Sequence, residues 1–139
     1  TVGRALVVKT FTILNGLPEI EPADILALKV PAADALPRLA LHVPLEARDG
    51  AEEEVARFLQ EARSAVEREP GTLSWYALRL GKTRFAIVDT FADEAGREAH
   101  LSGEVGTALS GSSASLFAEP PQIHRAQILA FKIASAGDE

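Results

Sequence analysis

From Leu39 the chain alternates apolar and polar residues, then changes period, and the order of those periods leaves few folds open. Leu39, Leu41, Val43 and Leu45 point one way, while Ala40, His42, Pro44 and Glu46 point the other, the pattern of a half-buried strand over Arg38–Ala47. Pro44 lacks an N–H, so that strand should lie at an edge or carry a bulge there. Val55, Phe58, Leu59, Ala62 and Val66 then recur at helical spacing. Asp49, with Glu52 three residues on, reads as the N-cap of this helix, and Glu52, Glu53 and Glu54 suit the positive end of its dipole. Pro70-Gly71 ends it.

Thr72–Leu80 reads as a strand, Gly81-Lys82 as a tight turn, and Thr83–Phe91 as the hairpin partner. Phe85, Ile87, Asp89 and Phe91 share one face of that partner, and Ala86, Val88 and Thr90 share the other. With both faces largely apolar, it should be a central strand. Asp93 opens a second helical region, which Gly103, Gly106 and Gly111 should break into pieces before Phe117. Pro120-Pro121 forces an extended stretch, and Ile123–Ile133 reads as the last strand. The order strand, helix, strand, strand, helix, strand is the split βαβ, ferredoxin-like α+β arrangement (βαββαβ). Its helices cover one sheet face. A second copy of the sheet is the simplest cover for the other, giving a homodimer, a dimeric α/β barrel.

The chain divides into residues 1–36 and 37–139. The first part holds Pro18, Pro22 and Pro31 and has no helical period. Arg4–Leu14 reads as a strand, Asn15-Gly16 as a turn and Ile25–Val30 as a short apolar run. It cannot bury much surface alone, so it should pack on the main domain or on a partner subunit. Composition then limits function. A net charge of −6, with 14 basic residues scattered along 139, argues against nucleic-acid and anionic-membrane partners. The absence of cysteine excludes disulfides, thiolate metal sites and cysteine nucleophiles, and fits a cytoplasmic protein. No apolar stretch is long enough to span a membrane. No His/Asp/Glu cluster has metal-ligand spacing, and Gly111-Ser112-Ser113 lacks the strand and lysine of a phosphate loop.

Two segments carry a family resemblance. Arg68-Glu69-Pro70-Gly71-Thr72-Leu73-Ser74-Trp75-Tyr76-Ala77-Leu78 resembles the helix-to-strand passage of the antibiotic biosynthesis monooxygenase family. Phe91-Ala92-Asp93-Glu94-Ala95-Gly96-Arg97-Glu98-Ala99-His100-Leu101 resembles its second signature: an aromatic residue, a short acidic turn, then a helix bearing a histidine. The resemblance implies oxidation of a small quinol or aromatic molecule by O2 in a dry pocket between sheet and helices, without metal or flavin cofactors. It departs from the haem-degrading branch, which uses an asparagine, a tryptophan and a histidine. The only asparagine here is Asn15, outside the matched segments, and Phe91 stands where tryptophan is common.

The resemblance makes His100 the candidate base, because its intrinsic pKa is near neutrality; the alternative is a structural histidine satisfied by Asp93 or Glu94. Asp89 sits mid-strand among apolar residues, where a carboxylate is costly unless paired, and would orient His100 or Arg97. Arg97 would steady an anion or be a solvated surface charge. Trp75, Tyr76 and Phe91 would line the substrate pocket, or anchor a core or subunit interface. His42 and His124 are given no role. Two functions follow: a cofactor-independent monooxygenase, or a non-catalytic dimeric module of the same fold that binds a small ligand or serves as a scaffold.

Overall fold

The computed structural model describes residues 13–134. Their strands are β1 (Asp24–Lys29), β2 (Leu39–Glu46), β3 (Thr72–Arg79), β4 (Arg84–Phe91) and β5 (His124–Gln127), and their helices α1 (Glu52–Glu67), α2 (Glu94–Leu101) and α3 (Glu104–Leu116). All pairings are antiparallel, in the order β1-β3-β4-β2-β5. From β2 onward this is the ferredoxin-like α+β fold expected from the order of periods, with β1 added on the outer edge of β3.

The alternation along β2 and β4 sorts the sheet into two faces. Leu41, Val43 and Leu45 from β2 and Phe85, Ile87 and Phe91 from β4 pack with Trp75 and Ala77 of β3 against the helices. Val55, Leu59 and Val66 of α1 and Val105, Leu109 and Leu116 of α3 complete that core. Each fully buried side chain of this size contributes roughly 1.5–3 kcal/mol of hydrophobic stabilisation. Pro44 behaves as its missing N–H requires. The pairing of β2 with β5 stops at His42, so Pro44 lies on an open edge, opposite Ala86 on its other side.

Three local expectations change, and one lies largely outside the described residues. The N-cap of α1 is Ala51, without a side-chain cap, and Asp49 is not the cap. Gly50, at φ +89°, turns the chain between Asp49 and the helix, leaving Asp49 short of the first turn. The three glutamates of that turn meet the dipole instead. A register shift between Thr72 and Ser74 marks a bulge at Leu73, so Thr72 joins Trp75 on the helix face rather than alternating regularly from it. The last strand is four residues long, because its partner β2 begins at Leu39; beyond it Ile128 still donates its N–H to the Arg38 carbonyl at 2.9 Å, and residues 129–133 belong to no strand. Leu129 and Phe131 there are exposed. Finally, of the strand expected over Arg4–Leu14, all but the last two residues fall outside the described part, and Ile13 and Leu14 are not in a strand.

The helical region after Asp93 is broken as expected, into α2 and α3. Asp93 caps α2, its carboxylate accepting the Gly96 N–H at 2.9 Å. Gly96 meets Gly71 backbone to backbone: a Cβ at Gly96 would lie 2.9 Å from the Gly71 carbonyl oxygen, and one at Gly71 would lie 3.0 Å from the Gly96 Cα. Two residues without side chains therefore let α2 rest on the turn between α1 and β3. That turn is held from the sheet side as well, since Lys29 of β1 donates to the Glu69 carbonyl at 2.6 Å.

Candidate active site

The close approach of α2 to the turn after α1 sets the geometry of the site. His100, on the last turn of α2, is buried between two carboxylates. Its Nδ1 lies 2.6 Å from Glu69 Oε2, from the turn below, and its Nε2 lies 2.9 Å from Asp89 Oδ2, from the centre of β4. Thr72, brought to this face by the bulge, donates its hydroxyl to Glu69 Oε2 at 2.7 Å. The Phe91 ring packs on the imidazole, with centroids 5.5 Å apart.

The charges are strongly coupled. Asp89 is 1% exposed, and burial pushes its carboxyl above the usual carboxylate range despite the opposing pull of His100. Burial pushes His100 the other way, but the close Asp89 carboxylate and the hydrogen bond with Glu69 outweigh it and hold the imidazole above its usual value. Both carboxylates thus favour the protonated form of the ring over what a free imidazole would show. Neither Asp89 oxygen makes a well-oriented hydrogen bond among the described residues. Oδ2 is held against His100 as a charge contact, and Oδ1 is a buried acceptor without a donor. The two carboxylates flank opposite ring nitrogens, so no single point lies close to all three groups. Among the described residues no set of three His, Asp or Glu is placed to hold a metal ion.

Asp89 and His100 line a cleft of about 580 Å³ between the sheet and helices α2 and α3, within the size range of small-molecule sites. Leu41, Val43 and Ile87 form its floor, Val105 and Leu109 its helical wall, and Pro120, Pro121, Ile123 and Arg125 its outer side. A cleft thus lies between sheet and helices, with a lining other than the one expected. Phe91 and Trp75 are fully buried behind the Asp89–His100 pair and do not line it. Trp75 sits opposite Asp89 across the β3–β4 pairing, its indole N–H buried and unpaired among the described residues. Tyr76 is on the other sheet face, opposite Val88. Arg97 is buried but points elsewhere: both Glu94 oxygens bind it, at 2.6 and 3.2 Å, and Nη1 reaches the Ala40 and Ala126 carbonyls at 3.4 Å. It straps α2 to β2 and β5, and in turn holds the Glu94 carboxyl below its usual range. His42 and His124 stack on each other away from the cleft, centroids 5.8 Å apart.

The structure therefore gathers His100, Asp89 and Phe91, and places Tyr76 and Arg97 apart from them. The carboxylates at His100 are Glu69 and Asp89; Asp93 caps the helix and Glu94 binds Arg97. Glu69 and the α3 wall are the parts that sequence reasoning missed. The signal for Glu69 was present in the paired glycines, Gly71 two residues after it and Gly96 one turn before His100.

The antibiotic biosynthesis monooxygenase family model matches residues 38–108, which span β2 through the start of α3. No curated protein matches the chain. Among solved structures, a protein of unknown function from Nitrosomonas europaea is 43% identical, covering 72% of this chain and 97% of its own, with a TM-score of 0.70. A Pseudomonas aeruginosa protein is 23% identical over 68% of this chain and 97% of its own, with a TM-score of 0.59. A Fusobacterium nucleatum protein, at 15% identity and a TM-score of 0.77, covers all of this chain and 64% of its own. These last two show the shared fold alone. On the extent of the family match and the 43% identical structure, the chain belongs to the antibiotic biosynthesis monooxygenase family.

Proposed function

We propose that the protein is a cofactor-independent monooxygenase that oxidises a small quinol or hydroxylated aromatic with O2, with the chemistry in the cleft beside Asp89 and His100. The observation that carries this reading is Asp89, a residue of the wall of an apolar cleft whose buried Oδ1 has no hydrogen-bond donor among the described residues. A substrate hydroxyl is the donor this atom lacks. Asp89 then accepts the hydroxyl proton, and burial, which raises its proton affinity, narrows the gap between carboxylate and phenol. His100 was the base expected from sequence. What supports Asp89 in that role is that the imidazole already favours its proton, held between two carboxylates. His100 acts through Asp89: it offsets the carboxylate's charge and fixes its orientation.

The anion left by proton transfer is electron-rich and reduces O2 itself. The substrate supplies both electron pairs, one oxygen atom enters it, and the other leaves as water. Leu41, Ile87, Val105 and Leu109 keep bulk water from the anion. The protein works as a homodimer in this reading. Support comes from the helix-free face, where Tyr76, Leu78 and Val88 are half-buried and Leu28 and Ile25 more exposed, an apolar surface that a second sheet would cover.

Oxygen uptake with a panel of quinols and hydroxylated aromatics tests the function. Asp89→Asn should lose activity by about 10²–10⁴-fold, the usual contribution of a general base. Uptake at the wild-type rate in that variant would remove Asp89 from the mechanism. Tight binding of the panel with no oxygen consumed would instead favour the non-catalytic binding module.

A further inference from the structure

Strand pairing brings together two histidines that the chemistry above does not use. His42 of β2 and His124 of β5 are direct partners in the antiparallel register, which sets their Cβ atoms about 4.5–5.5 Å apart. His42 points away from Leu41 and Val43, so both imidazoles stand on the helix-free face, across the sheet from the cleft. β5 is an outermost strand, which puts the pair at the margin of that face. Both side chains are exposed.

The rings lie with centroids 5.8 Å apart and planes at 29°. That separation fits a shared ion. Zinc-type ions bind an imidazole nitrogen at about 2.0–2.1 Å, and the ring centre lies about 1 Å behind that nitrogen, so two rings on one ion have centres about 5–6 Å apart. Rotating two exposed side chains is enough to aim one nitrogen of each into the gap. No competing contact holds the rings, since the histidine hydrogen bonds and ion pairs among the described residues all belong to His100.

The surroundings favour a cation. His42 borders a shallow pocket with Glu21, Glu46 and Glu119, three carboxylates against the one guanidinium of Arg84, which Glu21 already binds at 2.6 Å. The rest of the chain offers little competition. It has three histidines and no cysteine, and the third histidine, His100, is closed between Glu69 and Asp89. Imidazole suits zinc, nickel and copper, whereas magnesium and calcium take oxygen ligands.

We infer that His42 and His124 form a two-imidazole site for a divalent transition ion of the zinc, nickel or copper kind, with water completing its coordination. Among the described residues no third His, Asp or Glu is placed to join them, so the site is open and its ion exchangeable. The ion ties β5, four residues long and paired on one side, to β2. The site lies outside the cleft and is independent of the reaction proposed there.

Calorimetric titration of the untagged protein with nickel chloride at pH 7.5 tests the site. The wild type should bind one ion per chain, and binding should fade toward pH 5.5, as protons compete for the ring nitrogens. His42→Gln and His124→Gln should each weaken it by about tenfold or more, because a single imidazole loses the gain of two linked contacts. Excess magnesium should not displace the nickel. Substoichiometric nickel, which is paramagnetic, should broaden the ring resonances of His42 and His124 and spare those of His100. The inference is overturned if the wild type binds no nickel, if either variant keeps the wild-type affinity, if magnesium displaces the ion, or if the His100 ring broadens with the pair.

Discussion

Replacing His100 by glutamine removes the cation between Glu69 and Asp89 while keeping a polar side chain of similar reach. Asp89 then stands buried and without a charge partner, and losing one member of a buried pair costs about 3–5 kcal/mol. The cost depends on pH, and its sign follows from linkage. His100 has a raised folded-state pKa, so its contribution is fully present below about 6.5 and is lost as pH rises through the raised value. Asp89 is also raised, so the native state holds its proton more firmly than the unfolded chain; that advantage is full below about 3.8 and fades as pH climbs through the raised value. Both effects make the wild type lose stability as pH rises across their windows. The destabilisation caused by His100→Gln should therefore be largest near pH 6 and shrink toward pH 9, as the wild-type ring gives up its own proton. Urea unfolding of both proteins at pH 6, 7.5 and 9 measures it. A difference that stays constant across that range would show that the imidazole carries no charge in the folded protein, and the electrostatic account of the site would fail with it.

Gly96→Ala should destabilise the protein by about 1–3 kcal/mol, the range for overpacking, because its Cβ would meet the Gly71 carbonyl. It should also move α2 off the turn that holds Glu69, so the ring resonances of His100 should shift. Asp93→Ala removes the cap of α2 and should cost about 1 kcal/mol by thermal or urea unfolding. Val88→Lys places a charge in the middle of the helix-free face. Sedimentation at micromolar concentration should then report a monomer where the wild type gives a dimer, and a monomeric wild type would refute the homodimer.

Much of this architecture is written in short-range periods. The alternation from Leu39 to Leu45, the helical spacing from Val55 to Val66 and the Gly81-Lys82 turn each report a local backbone state, and each predicts its element. What those periods omit is pairing at a distance. The apolar run at Ile25–Val30 says that a strand can form, but not that it will lie on β3, more than forty residues away on the far side of a helix. The bulge at Leu73 is equally silent, because an extra residue in a strand leaves no compositional mark unless glycine or proline makes it. The early end of β5 follows from the length of β2 rather than from its own residues, which stay apolar to Ile133.

The site divides along the same line. Asp89 stood out because a carboxylate on an apolar strand face demands a partner, and His100 because the family resemblance places a histidine, with its intrinsic pKa near neutrality, on that helix. Neither the sequence spacing nor the charge pattern says which acid meets the ring, since Asp93 and Glu94 are closer in sequence than Glu69 by more than twenty residues. Space decided it. Asp93 is committed to the helix N-terminus and Glu94 to Arg97, which leaves both on the wrong side of α2. Glu69 arrives only because Gly71 and Gly96 allow two backbones to touch. An E-P-G turn that reads as a helix stop thus also delivers a carboxylate. The glycine two residues on has a steric duty, so a substitution there should change the charge state of a histidine nearly thirty residues away. Gly71→Ala tests that link, since its Cβ would press on the Gly96 Cα. The His100 titration followed by nuclear magnetic resonance should move toward its ordinary range as Glu69 retreats, and an unchanged titration in a folded variant would disconnect the glycine pair from the site.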